Sequence, residues 1–451
     1  MSDIIAAIAT GRAPCAIGIL RLSGPGCAAL TGRVFTPKQP FADAPDRRLV
    51  LGLLHDRQGR VIDECLGVVC RAPHSYTGEE TVELQCHGSP AMLAAGLESL
   101  LAAGARQAGP GEFTRRAFLN GKLDLTQAEA VVDLIDAETA DAAANAAGQL
   151  GGALKRAIEP VYDGLTDLCS HFHAVLDYPD EDIEDFGAAE LSGALDRAGT
   201  ALQELLATYE KGRYLRQGVR AVLLGKPNAG KSSLLNRLAG YDRVIVTDIA
   251  GTTRDTVEEP VRVGRVLLRL TDTAGIREAG DAIEALGVAR SEQAAREAEL
   301  ALFVCDASLP LTDEDRRAIE AAKCAPRSLA LCNKSDLPAA VSPDELPFDT
   351  VLTVSARTGA GLDALPALLE GWFLGGNACD GSLLTNPRQF GALDRASRAI
   401  ARAKTGLGLG VTPDAVLTDV EEAMAALGEV TGRTVREEIT NRIFERFCVG
   451  K

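Results

Sequence analysis

Gly225-Lys226-Pro227-Asn228-Ala229-Gly230-Lys231-Ser232 fits G-x-x-x-x-G-K-[ST], a loop whose backbone N–H groups cradle phosphate oxygens. The apolar run Val219-Arg220-Ala221-Val222-Leu223-Leu224 before it reads as a short buried strand, and Ser233-Leu234-Leu235-Asn236-Arg237-Leu238 after it as the first turns of a helix. That context is what the motif needs, because the loop N–H groups and the helix N-terminus together make an anion site. Lys231 is then placed to reach the β- and γ-phosphates, and the Ser232 hydroxyl to ligate Mg²⁺.

Three further motifs follow in order, each at the carboxyl end of a predicted strand. Val266-Leu267-Leu268-Arg269-Leu270 leads to Asp272-Thr273-Ala274-Gly275, an acidic end suited to Mg²⁺ and a glycine N–H suited to the γ-phosphate. Leu300–Cys305 is a strand, and Leu329–Cys332 is another that ends at Asn333-Lys334-Ser335-Asp336. Here the Asp336 carboxylate can accept from the ring N–H and the exocyclic amine of guanine, which adenine does not offer in that arrangement. Strand 351–354 delivers Ser355-Ala356-Arg357, which resembles a guanine-contacting loop. Between the first two motifs lies Thr247-Asp248-Ile249-Ala250-Gly251-Thr252-Thr253, in the place of a first switch loop, with Thr253 the choice for the metal. These motifs predict a GTPase built on a mainly parallel, doubly wound sheet. Ile276 stands where Ras-type GTPases place a water-orienting Gln, so another group must do that work. Arg277, Glu278, Asp281 and Glu284 are the nearby candidates, and position alone does not choose among them.

Outside this region the chain changes character. The first 118 residues hold short apolar runs at 16–22, 49–54, 65–70 and 81–86, with a helix expected from Met92 to Ala103, which makes a small α+β domain. From residue 119 the periodicity is helical, with Thr126-Gln127-Ala128-Glu129 reading as a capping box. An acidic loop at Tyr178-Pro179-Asp180-Glu181-Asp182 reads as a solvated connection. A second long helix is expected from about Ala188 to Lys211, and the stretch from Pro387 to Lys451 is helical again. The expected organisation is therefore an N-terminal domain at 1–118, a helical domain at 119–215 and 376–451, and an inserted nucleotide domain at 216–375.

With 451 residues the chain is too long for one core, and a net charge of −16 argues against a broad nucleic-acid-binding surface. The 11 cysteines show no paired C-x-x-C spacing, so neither a zinc site nor a disulfide framework is indicated, and reduced thiols in the cytoplasm are the simple reading. No signal peptide is read at the N-terminus, and no apolar run approaches a membrane span.

The outer motifs then resemble one family, the MnmE (TrmE) tRNA-modification GTPases. They are Gly18-Ile19-Leu20-Arg21, Ser75-Tyr76-Thr77-Gly78-Glu79, Glu83-Leu84-Gln85 with His87-Gly88, Pro110-Gly111-Glu112-Phe113, and Phe118-Leu119-Asn120-Gly121-Lys122-Leu123-Asp124-Leu125. Further on come Gln127-Ala128-Glu129-Ala130, Asp177-Tyr178-Pro179 and the terminal Phe447-Cys448-Val449-Gly450-Lys451. The resemblance implies an N-terminal domain that dimerises and binds a formyl-tetrahydrofolate such as 5-formyltetrahydrofolate, with Arg21, Glu83, Lys122 and Lys451 as its contacts. It implies a flavoprotein partner, MnmG, and modification of carbon 5 of the wobble uridine in certain tRNAs, in a homodimer. It implies activation by K⁺, held by Asn228, Thr247, Ile249 and Thr252, with Glu284 positioning water and Cys448 considered catalytic. The competing reading is an Era-type regulatory GTPase of ribosome assembly, which usually appends an RNA-binding module; neither such a module nor a basic patch is found.

Overall fold

The computed structural model describes residues 3–11, 13–37, 40–177, 188–241, 258–272, 292–375, 380–433, 443–445 and 447–450. The chain divides into two compact units, one of Met1–Val132, Leu150–Lys155 and Glu421–Lys451, the other of Asp133–Gln149 and Arg156–Val420.

The first unit is built on a seven-stranded sheet. Its strands are β1 (Ile5–Ile8), β2 (Cys15–Ser23), β3 (Phe35–Pro37), β4 (Val50–His55), β5 (Val61–Cys70), β6 (Thr81–Gly88) and β7 (Arg106–Gln107), in the order β3-β4-β5-β6-β2-β1-β7. All pairs are antiparallel except β1 with β7. Alternation along β6 sends Val82, Leu84 and Cys86 into the core, as expected from the sequence. Helix α1 (Cys27–Thr31) and helix α2 (Pro90–Ala102) cover that face. At Gly18 the strand passes close under α2, where a Cβ would sit 2.4 Å from the Leu93 Cδ1 methyl and force that side chain to shift. Helix α3 (Glu112–Leu119) is fixed to the sheet by Arg116, whose side chain is 10% exposed and pairs with Asp3, Glu79 and Glu112.

Helix α4 (Leu125–Ile135) starts earlier than its expected cap. Asp124 Oδ1 accepts from the Gln127 N–H at 2.9 Å, and Gln127 Oε1 accepts from the Asp124 N–H at 3.0 Å. The reciprocal box is therefore Asp124 with Gln127, and Thr126 lies inside the helix, donating to Asp124 Oδ1. Asp outcompetes Thr as a cap here because its carboxylate serves both Gln127 and Thr126.

The second unit holds a six-stranded sheet and, before it, all but the end of helix α5 (Ala140–Leu150), all but the start of α6 (Ala153–Asp177), and helices α7 (Ala188–Ala207) and α8 (Tyr209–Gln217). The expected helix across 188–211 is two, since Thr208 turns its hydroxyl to the Leu205 carbonyl at 2.7 Å and ends the first. The sheet contains β8 (Val219–Leu224), β9 (Glu258–Val263), β10 (Val266–Asp272), β11 (Leu300–Asp306), β12 (Arg327–Asn333) and β13 (Val351–Thr353). Their order is β13-β12-β11-β8-β10-β9, and only β9 runs antiparallel to its neighbour. Helices α9 (Lys231–Tyr241), α10 (Asp313–Ala322) and α11 (Ala364–Phe373) cover its two faces. Leu300, Leu302 and Val304 pack with α9 and α11, whereas Ala301, Phe303 and Cys305 pack with α10 on the other side. Both faces being buried explains why these strands read as continuous apolar runs. Helices α12 (Pro387–Gly408) and α13 (Pro413–Thr431) follow, with α7 lying along α12.

Candidate nucleotide site

The loop between β8 and α9 leaves the middle of the sheet, with β11 on one side and β10 on the other. Strand order reverses across β8, which is where open α/β sheets bind ligands. Gly225 has φ +148°, and a Cβ there would lie 2.1 Å from the Val304 carbonyl oxygen. Gly230 has φ +98°, and a Cβ there would lie 2.1 Å from Asn333 Nδ2. Asn228, between them, is left-handed at φ 62° and exposed. The loop is thus shaped by two glycines against fixed backbone and side-chain neighbours. Gly225→Ala should distort the loop at a cost on the order of 3 kcal/mol, seen as a lower thermal midpoint and lost nucleotide binding.

Lys231 opens α9 and is 9% exposed. Its Nζ donates to the carbonyls of Gly225 at 2.7 Å and Lys226 at 2.9 Å, the loop's own acceptors. An incoming phosphate offers stronger, charged acceptors within the same reach. Ser232 and Ser233 lie exposed in the first turn of α9. Lys226 is anchored away from the cradle, its Nζ 2.8 Å from Asp315 Oδ2, in the capping box that starts α10.

Asn333, 1% exposed, ties two loops together. Its Nδ2 donates to the Ala229 carbonyl at 2.8 Å, and its Oδ1 accepts from the Ala356 N–H at 2.9 Å. Lys334 is left-handed at φ 66° and its Nζ lies 2.6 Å from Asp306 Oδ2. Burial works to raise the Asp306 carboxyl, but the Lys334 and Ser308 hydrogen bonds outweigh it and hold the group below its ordinary range. Asp336 has a side chain 14% exposed; Ser355 Oγ donates to its Oδ1 at 2.6 Å, and Arg357 lies 2.6 Å from its Oδ2. The Ser355 hydrogen bond is the main cause that keeps this carboxyl low and ionised. An aligned, ionised acceptor is what a guanine N–H pair requires. Arg357, 74% exposed in its side chain, can leave Oδ2 to the base. Arg237 of α9 completes the frame by donating to the carbonyls of Ala356 and Arg357.

The structure therefore brings together Asn228, Ala229, Gly230, Lys231, Asn333, Ala356 and the Asp336–Ser355–Arg357 group. Strand β10 ends at Asp272, whose backbone lies opposite Leu223 of β8. Its side chain, and Thr247, Asp248, Ile249, Ala250, Gly251, Thr252, Thr253, Thr273, Ala274, Gly275, Glu284 and Lys451, fall outside the described residues, as do the acidic loop at 178–182 and residues 276–281. Asp306 and Asp315 were not legible as site residues, since their partners lie 28 and 89 residues away. The one local signal for Asp306 is its place at the carboxyl end of an apolar strand.

Comparison with known proteins gives the same answer over the whole length. The family model described as the MnmE helical domain matches residues 125–448, and the one described as the GTP-binding protein TrmE N-terminus matches residues 4–122. A protein of Roseiflexus sp. (strain RS-1) named tRNA modification GTPase MnmE is 45% identical, over 100% of this chain and 99% of its own. The chain belongs to the MnmE family of tRNA modification GTPases. Proteins of the same name from Symbiobacterium thermophilum and Aquifex aeolicus are 44% and 41% identical over 100% of this chain. Among solved structures, the G domain of the T. maritima FeoB iron transporter covers 33% of this chain and 94% of its own at 22% identity, with a TM-score of 0.25 too low to add to the family match. As an MnmE-family protein the chain is a GTP hydrolase. Among the described residues, no helix is long and apolar enough to cross a membrane, and the ten described cysteines are all free thiols.

Three of the expected folate residues, Arg21, Glu83 and Lys122, lie in the first unit. Arg21 and Glu83 face each other across β2 and β6, with Arg21 Nε 2.8 Å from Glu83 Oε1. The Arg21 guanidinium also donates to the Gly450 carbonyl at 3.3 Å and lies 5.8 Å from the ring centres of Tyr76 and Phe113. Lys122 is exposed and donates to the Pro73 carbonyl at 3.2 Å. The terminal residues reach this place because Val449 bridges to Pro110 and the Gly111 N–H donates to the Cys448 carbonyl at 3.3 Å. The Cys448 side chain stays exposed.

Proposed function

We propose that this chain is a K⁺-stimulated GTP hydrolase that acts on tRNA. With a flavoprotein partner of the MnmG type, it takes part in building the aminomethyl or carboxymethylaminomethyl group on carbon 5 of the wobble uridine. The observation that carries this reading is the full-length similarity to proteins named tRNA modification GTPase MnmE, joined to a guanine-reading Asp336 held ready by Ser355.

Lys231 leaves the Gly225 and Lys226 carbonyls for the β- and γ-phosphates when GTP enters, so its charge arrives where negative charge builds up. Asp336 reads the base, and Asn333 keeps the phosphate loop and the 355–357 loop in one frame. Ser232 and Thr253 would hold Mg²⁺, supported by the exposed Ser232 hydroxyl and by Asp272 at the end of the strand next to β8. That ion supplies charge neutralisation on the phosphate oxygens. Asn228, Thr247, Ile249 and Thr252 would hold K⁺, and the left-handed, exposed Asn228 supports it, since its amide makes no hydrogen bond among the described residues. Glu284 would position water.

In the first unit, Arg21, Glu83, Lys122 and Lys451 would bind a tetrahydrofolate one-carbon donor. Support comes from the Arg21–Glu83 pair, its flanking aromatic rings and the Gly450 carbonyl that the Arg21 guanidinium reaches. Cys448 would serve the modification chemistry. The protein would work as a homodimer in the cytoplasm, with domains bounded at 118, 215 and 375. The test is reconstitution from purified chain, flavoprotein partner, unmodified tRNA, GTP and a formyl-tetrahydrofolate, read by nucleoside mass spectrometry. Modified wobble uridine that requires every component is the expected result; unmodified tRNA with active partner and hydrolysed GTP contradicts the reading.

A further inference from the structure

Away from the nucleotide loop and from Arg21, strands β5 and β6 bring three ligand-bearing side chains together. Leu66 of β5 pairs with Gln85 of β6, so Cys65 and Cys86 fall beside each other one step further along the antiparallel ladder. Both are 3% exposed. Asp63, two residues before Cys65, shares its face of β5. One ligand atom from each of the three lies within 4.8 Å of the others. Asp63 has a side chain only 7% exposed, and His87 holds both its oxygens. His87 Nδ1 donates to Oδ1 at 2.7 Å, and the His87 backbone N–H donates to Oδ2 at 2.9 Å.

Two neighbouring buried thiols alone are ordinary core packing, since cysteine behaves as a small apolar residue. A screened carboxylate set against them, with its orientation fixed from outside, is not what packing calls for. We propose that Asp63, Cys65 and Cys86 form a binding site for a thiophilic divalent cation of the Zn²⁺ class, with one coordination position left to water. Tetrahedral Zn²⁺ with sulfur at about 2.3 Å and oxygen at about 2.0–2.2 Å puts its ligand atoms about 3.5–3.8 Å apart. Two sulfurs select against Mg²⁺ and Ca²⁺, which take oxygen donors. The His87 imidazole acts on the carboxylate from outside, as the partners of metal ligands commonly do.

Binding replaces protons: each thiol gives up one, so M²⁺ plus two thiols yields a dithiolate complex and two protons to solvent. Because binding releases protons, it tightens as pH rises.

The test uses the full-length chain, stripped with chelator under reducing conditions and titrated with Co²⁺ as spectroscopic probe, then with Zn²⁺. The expected result is one Co²⁺ per chain, with thiolate-to-cobalt charge-transfer absorption that Zn²⁺ abolishes and about two protons released. Cys65→Ser and Cys86→Ser should remove the band. Asp63→Asn, which keeps the shape, should weaken binding about tenfold or more. Cys15→Ser and Cys324→Ser, at exposed thiols, should leave the band intact. An unchanged thermal unfolding curve and circular dichroism spectrum for each variant show that the sheet carrying the three residues is folded. Absence of the band in the parent chain overturns the proposal, as does a band that survives the Cys65 and Cys86 substitutions.

Discussion

Asp336→Asn is expected to weaken GTP binding at least about 100-fold and to raise affinity for xanthosine triphosphate. The carboxylate offers two acceptor oxygens, one aligned by Ser355 and the other exchangeable from Arg357. An amide keeps one acceptor and turns the other into a donor, which faces the guanine amine with like polarity. Xanthine has a carbonyl in that place and accepts from the amide. Because Ser355 can still donate to the remaining oxygen, the side chain keeps its orientation and the exchange is read at the base alone. Competition binding with GTP, ATP and xanthosine triphosphate checks it. Equal loss for all three nucleotides would mean that Asp336 only shapes the loop.

Lys231→Ala is expected to slow GTP hydrolysis by about 100- to 1,000-fold, with the same proportional loss for any base. The ammonium is the charge nearest the phosphate cradle, and in the free site it is parked on the Gly225 and Lys226 carbonyls. Removing it returns those carbonyls to water, so the thermal midpoint should change little while turnover collapses. Single-turnover kinetics beside a melting curve separates the two effects. A large fall in stability with modest loss of rate would assign Lys231 to the fold rather than to the phosphates. The contrast with Asp336 matters, since one substitution changes which nucleotide is used and the other changes how fast.

Much of the nucleotide half is legible in sequence because its strands are buried on both faces. Val219–Leu224, Leu300–Asp306 and Arg327–Asn333 each appear as one apolar run ending in a polar motif. β9 escapes because Glu258, Glu259 and Pro260 interrupt any apolar pattern; it lies at the sheet edge, paired antiparallel to β10, with Val261 and Val263 in the core. β1 escapes for a different reason. Ile5–Ile8 reads as an apolar N-terminal stretch of no special kind, yet it is nearly fully buried between β2 and β7. The expected cap of α4 lies two residues too far along because Thr126 fits a pattern that Asp124 satisfies with a better acceptor. The motif residues proposed to meet the nucleotide are legible; the pairs that brace them, Lys226 with Asp315 and Lys334 with Asp306, depend on contacts across the sheet that no local spacing encodes. The group of Asp63, Cys65 and Cys86 was hidden the same way, since only strand pairing brings residue 86 beside 65.

The most direct test of the account is GTP turnover by the purified chain in KCl and in NaCl at equal ionic strength, with Asn228→Ala beside the parent. Stimulation by K⁺ of about tenfold or more, lost in the Asn228 variant, is the predicted result. Equal, slow turnover in both salts would contradict a cation-driven GTPase and leave an enzyme that waits for a protein activator.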